Sequence, residues 1–314
     1  MAEWLYEAGI GENRAALVSR GRIWKAEIEL EDAGVRAGTV ASARLIDKAS
    51  GLIRLESGEE ALCSPLPGGV TQGARTMVRI VREAIPETGR AKLAKAVPAP
   101  ADAAPAPGPT LLARIQASGH AVRPLRAHEP DALEEAGWSE LLEEAATGEI
   151  PFPGGALRMA VTPAMTLFDV DGQPPLDQLA IAAARAVADA MERMGIAGSI
   201  GIDFPTLAGK AERQAVGEAI DAALPQPFER TAMNGFGFLQ IVRRRERASL
   251  PELLRHDPAG AAARAELRRL ERLPPPAPNT HIVPAAVARR IAHAPHWLAE
   301  LHRRTGGRTE ILEA

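Results

Sequence analysis

Aspartates stand near the ends of two predicted β-strands, and this pattern has the clearest chemical meaning in the sequence. The run Met165 to Gly172 predicts a strand that carries Asp169 and Asp171, and the run Gly198 to Phe204 predicts a second strand that ends at Asp203. One helix's length of sequence separates them, so their acidic ends are expected to lie together. Such carboxylates suit Mg²⁺, which binds one or two carboxylates, waters and substrate phosphate oxygens. Metal-assisted phosphodiester chemistry is the first hypothesis.

Strand alternation refines this hypothesis. Side chains alternate faces along a strand, so Asp169 and Asp171 are expected on one face, with Phe168 and Val170 facing the core. Two like charges this close repel each other, and a cation between them is the simplest relief. A plainer interpretation stays open, in which Asp171 only marks the end of the strand and its turn.

A basic run follows the last predicted strand of the same layer. Arg243, Arg244 and Arg245 are expected to share the face of the carboxylates or its rim, and guanidinium groups bind phosphates bidentately. The run therefore predicts a phosphate clamp, although a solvated edge is the alternative. Arg230 and Lys210 are weaker candidates of the same kind.

The elements that must position these residues follow from periodicity. Residues 1 to 97 predict short strands separated by turns, which indicates a small barrel, possibly of the OB type. Residues 97 to 109 are almost wholly Pro and Ala and predict an extended linker, and residues 130 to 147 predict an acidic helix. Further along, the pattern predicts an α/β layer from the following elements: a strand over 156–171, a helix from about 174 to 194, a strand over 199–203, a helix near 211–223, and strands over 228–233 and 236–243. Residues 281 to 311 predict strand, helix and strand.

The composition of the chain limits which classes of protein and which kinds of site are possible. The chain has 314 residues, is 46% hydrophobic and carries a formal net charge of −3, so it is expected to be a soluble protein that binds polyanions only through local basic patches. Because the chain has one cysteine, Cys63, a metal site built from several cysteines of one chain is excluded, and a reducing cytoplasm is expected. Cys63 itself is predicted to be a small buried hydrophobic residue. The tryptophans Trp4 and Trp24, with Tyr6, are expected in the core. Four histidines are predicted to be structural or surface residues rather than metal ligands: His281, His293, His296 and His302.

Three segments of the chain resemble the ribonuclease E and ribonuclease G family. Leu5 to Glu29 resembles the opening strands of the ribonuclease H-like subdomain of these enzymes. Pro153 to Asp171, Ala197 to Phe204 and Asn234 to Arg245 together resemble the deoxyribonuclease-like catalytic subdomain in order and spacing. Thr280 to Ile311 resembles the small C-terminal domain.

The resemblance implies a multi-subdomain α+β and α/β fold. Its expected parts are a ribonuclease H-like strand pair over 1–35, an OB-type barrel over 36–97, a Pro/Ala linker with an acidic helix over 98–150, an α/β catalytic subdomain over 151–250, and a helical connector with a small C-terminal domain over 251–314. It also implies cleavage of single-stranded RNA with Mg²⁺ or Mn²⁺ held by Asp169 and Asp203, and a homodimer in which the tail domain makes the contact.

The sequence departs from the family pattern at several points. Asp171 stands where the family usually has asparagine, and Thr206 stands where it usually has a second aspartate. The cysteine pair that links family protomers through zinc is missing, so an oligomer has to form through another surface. The domain that senses a 5′-monophosphate has no counterpart of matching length, and the stretch Gly51 to Leu62 contains no stacking aromatic residue.

Two other functions stay open. One is a non-catalytic RNA-binding protein on a degenerate nuclease scaffold, which the departures from the family pattern favour. The other is a phosphatase of the haloacid-dehalogenase type, because Leu167 to Gly172 also resembles its first motif, with Asp169 as the phosphoryl-accepting nucleophile and Asp171 as acid and base. Gln173 does not fit that motif.

Overall fold

A computed structural model describes residues 1–87, 91–274 and 279–314. The strands, in chain order, are β1 (Glu3–Ala8), β2 (Glu12–Ser19), β3 (Arg22–Leu30), β4 (Val40–Asp47), β5 (Leu52–Leu55), β6 (Glu60–Cys63), β7 (Arg75–Arg82), β8 (Ala94–Pro98), β9 (Ala121–Pro124), β10 (Glu149–Phe152), β11 (Gly155–Val161), β12 (Thr166–Gly172), β13 (Gly198–Asp203), β14 (Glu229–Arg230), β15 (Phe238–Arg243), β16 (Thr280–Val283) and β17 (Glu310–Glu313). The helices are α1 (Leu111–Gln116), α2 (Ala132–Glu135), α3 (Trp138–Thr147), α4 (Leu176–Met194), α5 (Lys210–Ala223), α6 (Leu250–His256), α7 (Pro258–Glu271), α8 (Ala285–Ala292) and α9 (Pro295–Thr305).

Contacts divide the chain into two units that alternate along the sequence. The first unit consists of residues 1–33, 111–138 and 253–314, and the second consists of residues 34–110 and 139–252. The fold is therefore a mixture of α and β with several sheets, as predicted at that level. The finer subdomain boundaries stay predictions.

The first unit contains a four-stranded sheet in the order β3-β2-β1-β9, in which β9 runs parallel to β1. Trp4 packs with Leu111 and Ile115 of α1 in one buried cluster. A second cluster gathers apolar residues of α7, α8, α9 and β16 around Trp297. Trp4 is buried as predicted, but the prediction for Trp24 is wrong, because its side chain on β3 is 55% exposed.

A buried ion-pair network ties the sheet of the first unit to α7. The Arg14 guanidinium on β2 donates to Glu7 Oε1 at 2.7 Å and to Glu12 Oε1 at 2.7 Å. From α7, Arg264 donates to Glu12 and Arg268 donates to Glu7. Arg14 is 1% exposed, so its positive charge depends on the carboxylates of Glu7 and Glu12 in place of the solvation that water would supply.

The second unit begins with a closed five-stranded barrel in the order β4-β5-β6-β8-β7. Alternate residues such as Ala43, Leu45 and Ile53 fill its interior. Cys63 lies in this core, as predicted, and burial raises the pKa of its thiol. The stretch 97–109, predicted as an extended linker, has no helix or strand after β8 ends at Pro98, but it is held against the barrel: Ala106 pairs with Val40, and the Gly108 amide donates to Thr39 Oγ1 at 2.9 Å.

The second unit also contains a six-stranded sheet in the order β10-β11-β12-β13-β15-β14. Helix α4 packs against β10, β11 and β12, and α5 packs beside α4. The predicted helix near 174–194 is confirmed by α4, which ends at Gly195 in the left-handed conformation, and the helix near 211–223 is confirmed by α5. As predicted, β12 and β13 are parallel and α4 lies between them in the chain.

Several predicted elements differ in detail. The segment 156–171, predicted as a single strand, forms an antiparallel hairpin of β11 and β12. Hydrogen bonds between Thr162 Oγ1 and the Met165 backbone hold the turn between the two strands. The segment 130–147, predicted as one acidic helix, forms two helices, α2 and α3. They are separated at Gly137, whose φ of 92° lies outside the helical region of backbone conformation. The tail has two helices between its strands, where one was predicted, and β16 and β17 pair in parallel. None of the described helices combines the length and apolar character that crossing a membrane requires.

Candidate active site

The structure places Asp169 and Asp203 side by side. The two are register partners in the parallel pair β12 and β13, so their Cα atoms are separated by the spacing of neighbouring strands, about 4.8 Å. Both residues are exposed. The prediction that these aspartates lie together is therefore confirmed, although only Asp203 stands at the end of its strand.

The aspartates occupy the face of the six-stranded sheet opposite its helix-covered face. Phe168, Ile202 and Leu239 form one buried row across β12, β13 and β15, and none of them is measurably exposed. Asp169 and Asp203 are each one residue further along their strands, so their side chains point the other way. Both aspartates are therefore exposed to solvent on this face.

Asp171 has a cationic neighbour that the sequence analysis missed. Arg158 of β11 is the register partner of Asp169, and its guanidinium Nη1 lies 3.1 Å from Asp171 Oδ2. Glu149 is a second carboxylate near Arg158, at 3.6 Å from its Nε. Asp171 shares the face of Asp169 as predicted, but its carboxylate is paired with an arginine. The pattern of β11 alone could have revealed Arg158, since it alternates with the buried Leu157 and Met159.

One turn, Asn234–Phe238, holds the chain that follows Asp203 in place. The Phe204 amide donates to the Gly237 carbonyl at 3.1 Å, and Asn234 Oδ1 accepts from the amides of Phe236 and Phe238. Gly237 has a φ of 97°, and a Cβ there would lie 2.2 Å from the Phe204 carbonyl oxygen. Only glycine fits this position.

Phe236 stands at the tip of this Asn234–Phe238 turn and is 87% exposed. Because Phe238 is the register partner of Asp203, the turn lies at the acidic end of the sheet. An aromatic ring held by a constrained turn beside two carboxylates is a candidate platform for a nucleobase. The signal in the sequence is the Asn-Gly-Phe-Gly run, whose turn residues surround a single large apolar side chain.

Apolar side chains form the floor next to Asp203. Gly201 lies on the open face, and a Cβ there would approach the Phe238 ring to 2.6 Å and Leu167 Cδ2 to 2.8 Å. Phe238 and Leu167 therefore close over the glycine from the neighbouring strands. The aspartates thus have an aromatic and an aliphatic neighbour on the same face.

The placement predicted for the arginine run is wrong. Arg243 is the register partner of Gly198, five residues from Asp203 along β13, or about 17 Å at 3.3 Å per residue. The cause is the antiparallel direction of β15. It places Phe238, the first residue of β15, beside Asp203, and it places Arg243, the last residue of β15, at the opposite end of the strands. Arg243 pairs with Glu192 of α4 and Arg245 pairs with Glu252, whereas the side chain of Arg244 is 70% exposed.

The two weaker basic candidates also differ in position. Arg230 of β14 forms two hydrogen bonds to the Asp221 carboxylate of α5, and this pairing lowers the pKa of Asp221. Its guanidinium packs beside Gly217 of α5, away from the acidic pair. Lys210 is exposed at the start of α5, after the loop that follows Asp203. Their binding of RNA stays a prediction.

The donor set fits a hard divalent cation with few protein ligands. In the described part of the chain, no three His, Cys, Asp or Glu side chains form a group able to hold a metal ion. Asp169 and Asp203 together supply two carboxylates in register, and Mg²⁺ characteristically binds one or two carboxylates and completes its octahedron with water and phosphate oxygens. The site therefore suits Mg²⁺ or Mn²⁺ rather than a closed structural zinc site.

No protein-family model matches this chain, and no curated protein matches it at a significant level.

Proposed function

We propose that the protein is an endoribonuclease that cleaves single-stranded RNA with Mg²⁺ or Mn²⁺. The observation that carries this proposal is the in-register pair Asp169 and Asp203 on an exposed sheet face. The order of the segments that resemble the ribonuclease E and G family supports the choice of RNA as the substrate. Under the same proposal, the barrel is of the OB type, and the six-stranded sheet with its helices is the catalytic subdomain.

The residues of the site divide the work of phosphodiester hydrolysis. Asp169 and Asp203 would hold the metal ion, which supplies an activated water and neutralises charge on the phosphoryl oxygens. Arg158 holds Asp171 in place beside the pair and balances the local negative charge. Phe236 and the apolar floor at Phe238 and Leu167 provide contact surface for the bases that flank the scissile phosphate.

Loss of the exposed ring at position 236 is expected to weaken RNA binding. Stacking on an aromatic side chain contributes about 1–3 kcal/mol per base, so Phe236→Ala should lower the affinity for single-stranded RNA about tenfold. Phe236→Tyr is the matched control, because it keeps the ring, and its affinity should equal that of the wild type. Fluorescence anisotropy with labelled RNA in EDTA measures both. Equal affinity of the alanine variant and the wild type would refute the stacking role.

A non-catalytic RNA-binding protein is the second candidate, and one observation favours it. Arg158 lies opposite Asp169 and pairs with Asp171, so a positive charge already stands beside the carboxylates. In that case the face binds RNA and does not cut it. Cleavage and binding assays on the same RNA distinguish the two candidates.

Hydrolysis of fluorescent single-stranded RNA, with and without EDTA, is the direct test of the proposed activity. An endoribonuclease gives internal cleavage that stops in EDTA and returns on addition of Mg²⁺ or Mn²⁺. The same preparation should leave p-nitrophenyl phosphate intact, whereas hydrolysis of that ester would indicate a phosphatase. RNA binding without cleavage in any of the metal conditions would indicate the non-catalytic alternative.

A homodimer that uses the tail domain belongs to the same proposal. Within the tail, Ile282 and Leu312 are register partners on β16 and β17, and both are exposed. Such an apolar pair is suited to burial against another surface. The molar mass in solution, measured by light scattering, tests the homodimer, and a monomer at all concentrations would exclude it.

A further inference from the structure

Five residues stand in one row across the open face of the six-stranded sheet. Glu149 of β10 is the register partner of Arg158 on β11, Arg158 is the partner of Asp169, Asp169 is the partner of Asp203, and Asp203 is the partner of Phe238. Register partners share a face of the sheet, and neighbouring strands lie about 4.8 Å apart. Arg158 is therefore the one cation of this row, and it stands one strand away from Asp169.

The positive charge of Arg158 is held loosely. Its Nη1 lies 3.1 Å from Asp171 Oδ2, and its Nε lies 3.6 Å from Glu149 Oε1. The side chains of Arg158 and Glu149 are each 62% exposed, and that of Asp171 is 50% exposed. Exposed ion pairs contribute little stability, because water screens them and both side chains must be ordered. A competing anion can therefore take the guanidinium from its carboxylates at little cost.

Arg158 also has the right chemistry for a phosphate. Its neighbours along β11, Leu157 and Met159, are buried, whereas Arg158 projects from the open face and takes no part in the core. A guanidinium group is a planar fork of N–H donors that binds phosphate oxygens bidentately. An anion brought to the acidic pair meets this fork on the adjacent strand.

We propose that Arg158 is a further substrate-contacting residue, which leaves Asp171 and binds the phosphate of single-stranded RNA that is held at Asp169 and Asp203. This inference rests on the proposed function for its choice of substrate. Two carboxylates repel a phosphate, so the phosphate needs positive charge nearby, and Arg158 supplies it from the protein itself. In the free protein, Asp171 is then a positioning residue that keeps the guanidinium beside the pair.

Binding of labelled single-stranded RNA to the full-length protein in EDTA tests this contact without requiring cleavage. Arg158→Gln should weaken binding about fivefold at low salt and reduce the slope of log affinity against log salt by about 0.7, the value for one lost phosphate contact. Arg185→Gln is the matched control, because Arg185 is an exposed arginine of α4, which packs on the other face of the sheet. The affinity and salt slope of this control should equal those of the wild type.

Asp171→Asn should change the affinity in the opposite direction. Loss of this carboxylate frees the guanidinium of Arg158 for the phosphate, so the variant should bind RNA about threefold more tightly, within the range of one exposed ion pair. Asp177→Asn, which removes an exposed carboxylate from the first turn of α4, controls for the change in net charge alone. The gain should disappear in the double variant Arg158→Gln/Asp171→Asn, because the two side chains are in contact and their effects are coupled.

The outcomes separate this contact from the proposed activity. Wild-type affinity and salt slope in Arg158→Gln would overturn the contact, whether or not the protein cleaves RNA. Weaker binding by Asp171→Asn would also overturn it, by showing that the ion pair serves only to hold the strands in shape. If Arg158→Gln loses affinity while the wild type cuts no RNA with Mg²⁺ or Mn²⁺, the contact is supported and the nuclease activity fails.

Discussion

Asp169→Asn is expected to abolish cleavage of single-stranded RNA while leaving RNA affinity within a few-fold of the wild type. Asparagine keeps the size and shape of the side chain on the exposed face and removes the negative charge that attracts a divalent cation. Removing one preorganised group that stabilises the transition-state charge commonly costs a hundredfold to about a thousandfold in rate, and loss of the ion itself costs at least that. Single-turnover cleavage in Mg²⁺ measures the rate.

Asp203→Asn should have the same effect, because Asp169 and Asp203 are expected to hold one ion between them. The double variant should be no slower than either single variant, since groups that act as a unit give non-additive losses. Asp177→Asn is the control: Asp177 is exposed in the first turn of α4, outside the proposed site, and its replacement should leave the rate unchanged. Wild-type turnover in Asp169→Asn would refute the nuclease assignment.

Arg14→Met is expected to destabilise the first unit by about 3–5 kcal/mol, the cost of removing one partner from a buried ion pair. The substitution retains an unbranched side chain but leaves Glu7 and Glu12 with fewer donors in a buried environment. Urea unfolding followed by tryptophan fluorescence measures this loss selectively. All four tryptophans belong to the first unit: Trp4, Trp24, Trp138 and Trp297.

Arg20→Met provides the comparison for this measurement. Arg20 lies in the exposed turn after β2, so its replacement should change the free energy of unfolding by less than about 0.5 kcal/mol. Arg272 also donates to Glu7, at 3.3 Å. An Arg14→Met variant as stable as the wild type would show that Arg264, Arg268 and Arg272 satisfy the two glutamates without Arg14.

Local sequence patterns were sufficient to predict the elements around the candidate site. The alternation of Phe168 and Val170 with the aspartates predicted which face each side chain would take, because the period of a strand is two. The apolar stripe of α4 and the glycine after it predicted the helix and its end. A strand, helix, strand order then predicted parallel neighbours, and this was sufficient to bring Asp169 and Asp203 together.

Strand direction and pairing partners could not be read from the sequence in the same way. Whether Arg243 lies beside the aspartates depends on the direction of β15, which periodicity does not encode. Arg158 reaches Asp171 only because residues 155–172 form a hairpin, and the turn at Thr162 has no Gly in it. The segment 97–109 has the composition of a linker, but its backbone pairs with the barrel through contacts distant in sequence.

The exposure of Asp169 and Asp203 makes the stability of the fold independent of the proposed metal ion. In water, two unit charges about 4 Å apart repel each other by only about 1 kcal/mol, a small part of the stability of a domain. The sheet tolerates its paired carboxylates as bare solvated anions and needs no bound ion to keep its shape. We therefore expect the protein to stay folded in chelator, with a melting temperature close to that in a low concentration of Mg²⁺, and we expect the proposed activity to return when a divalent ion is added.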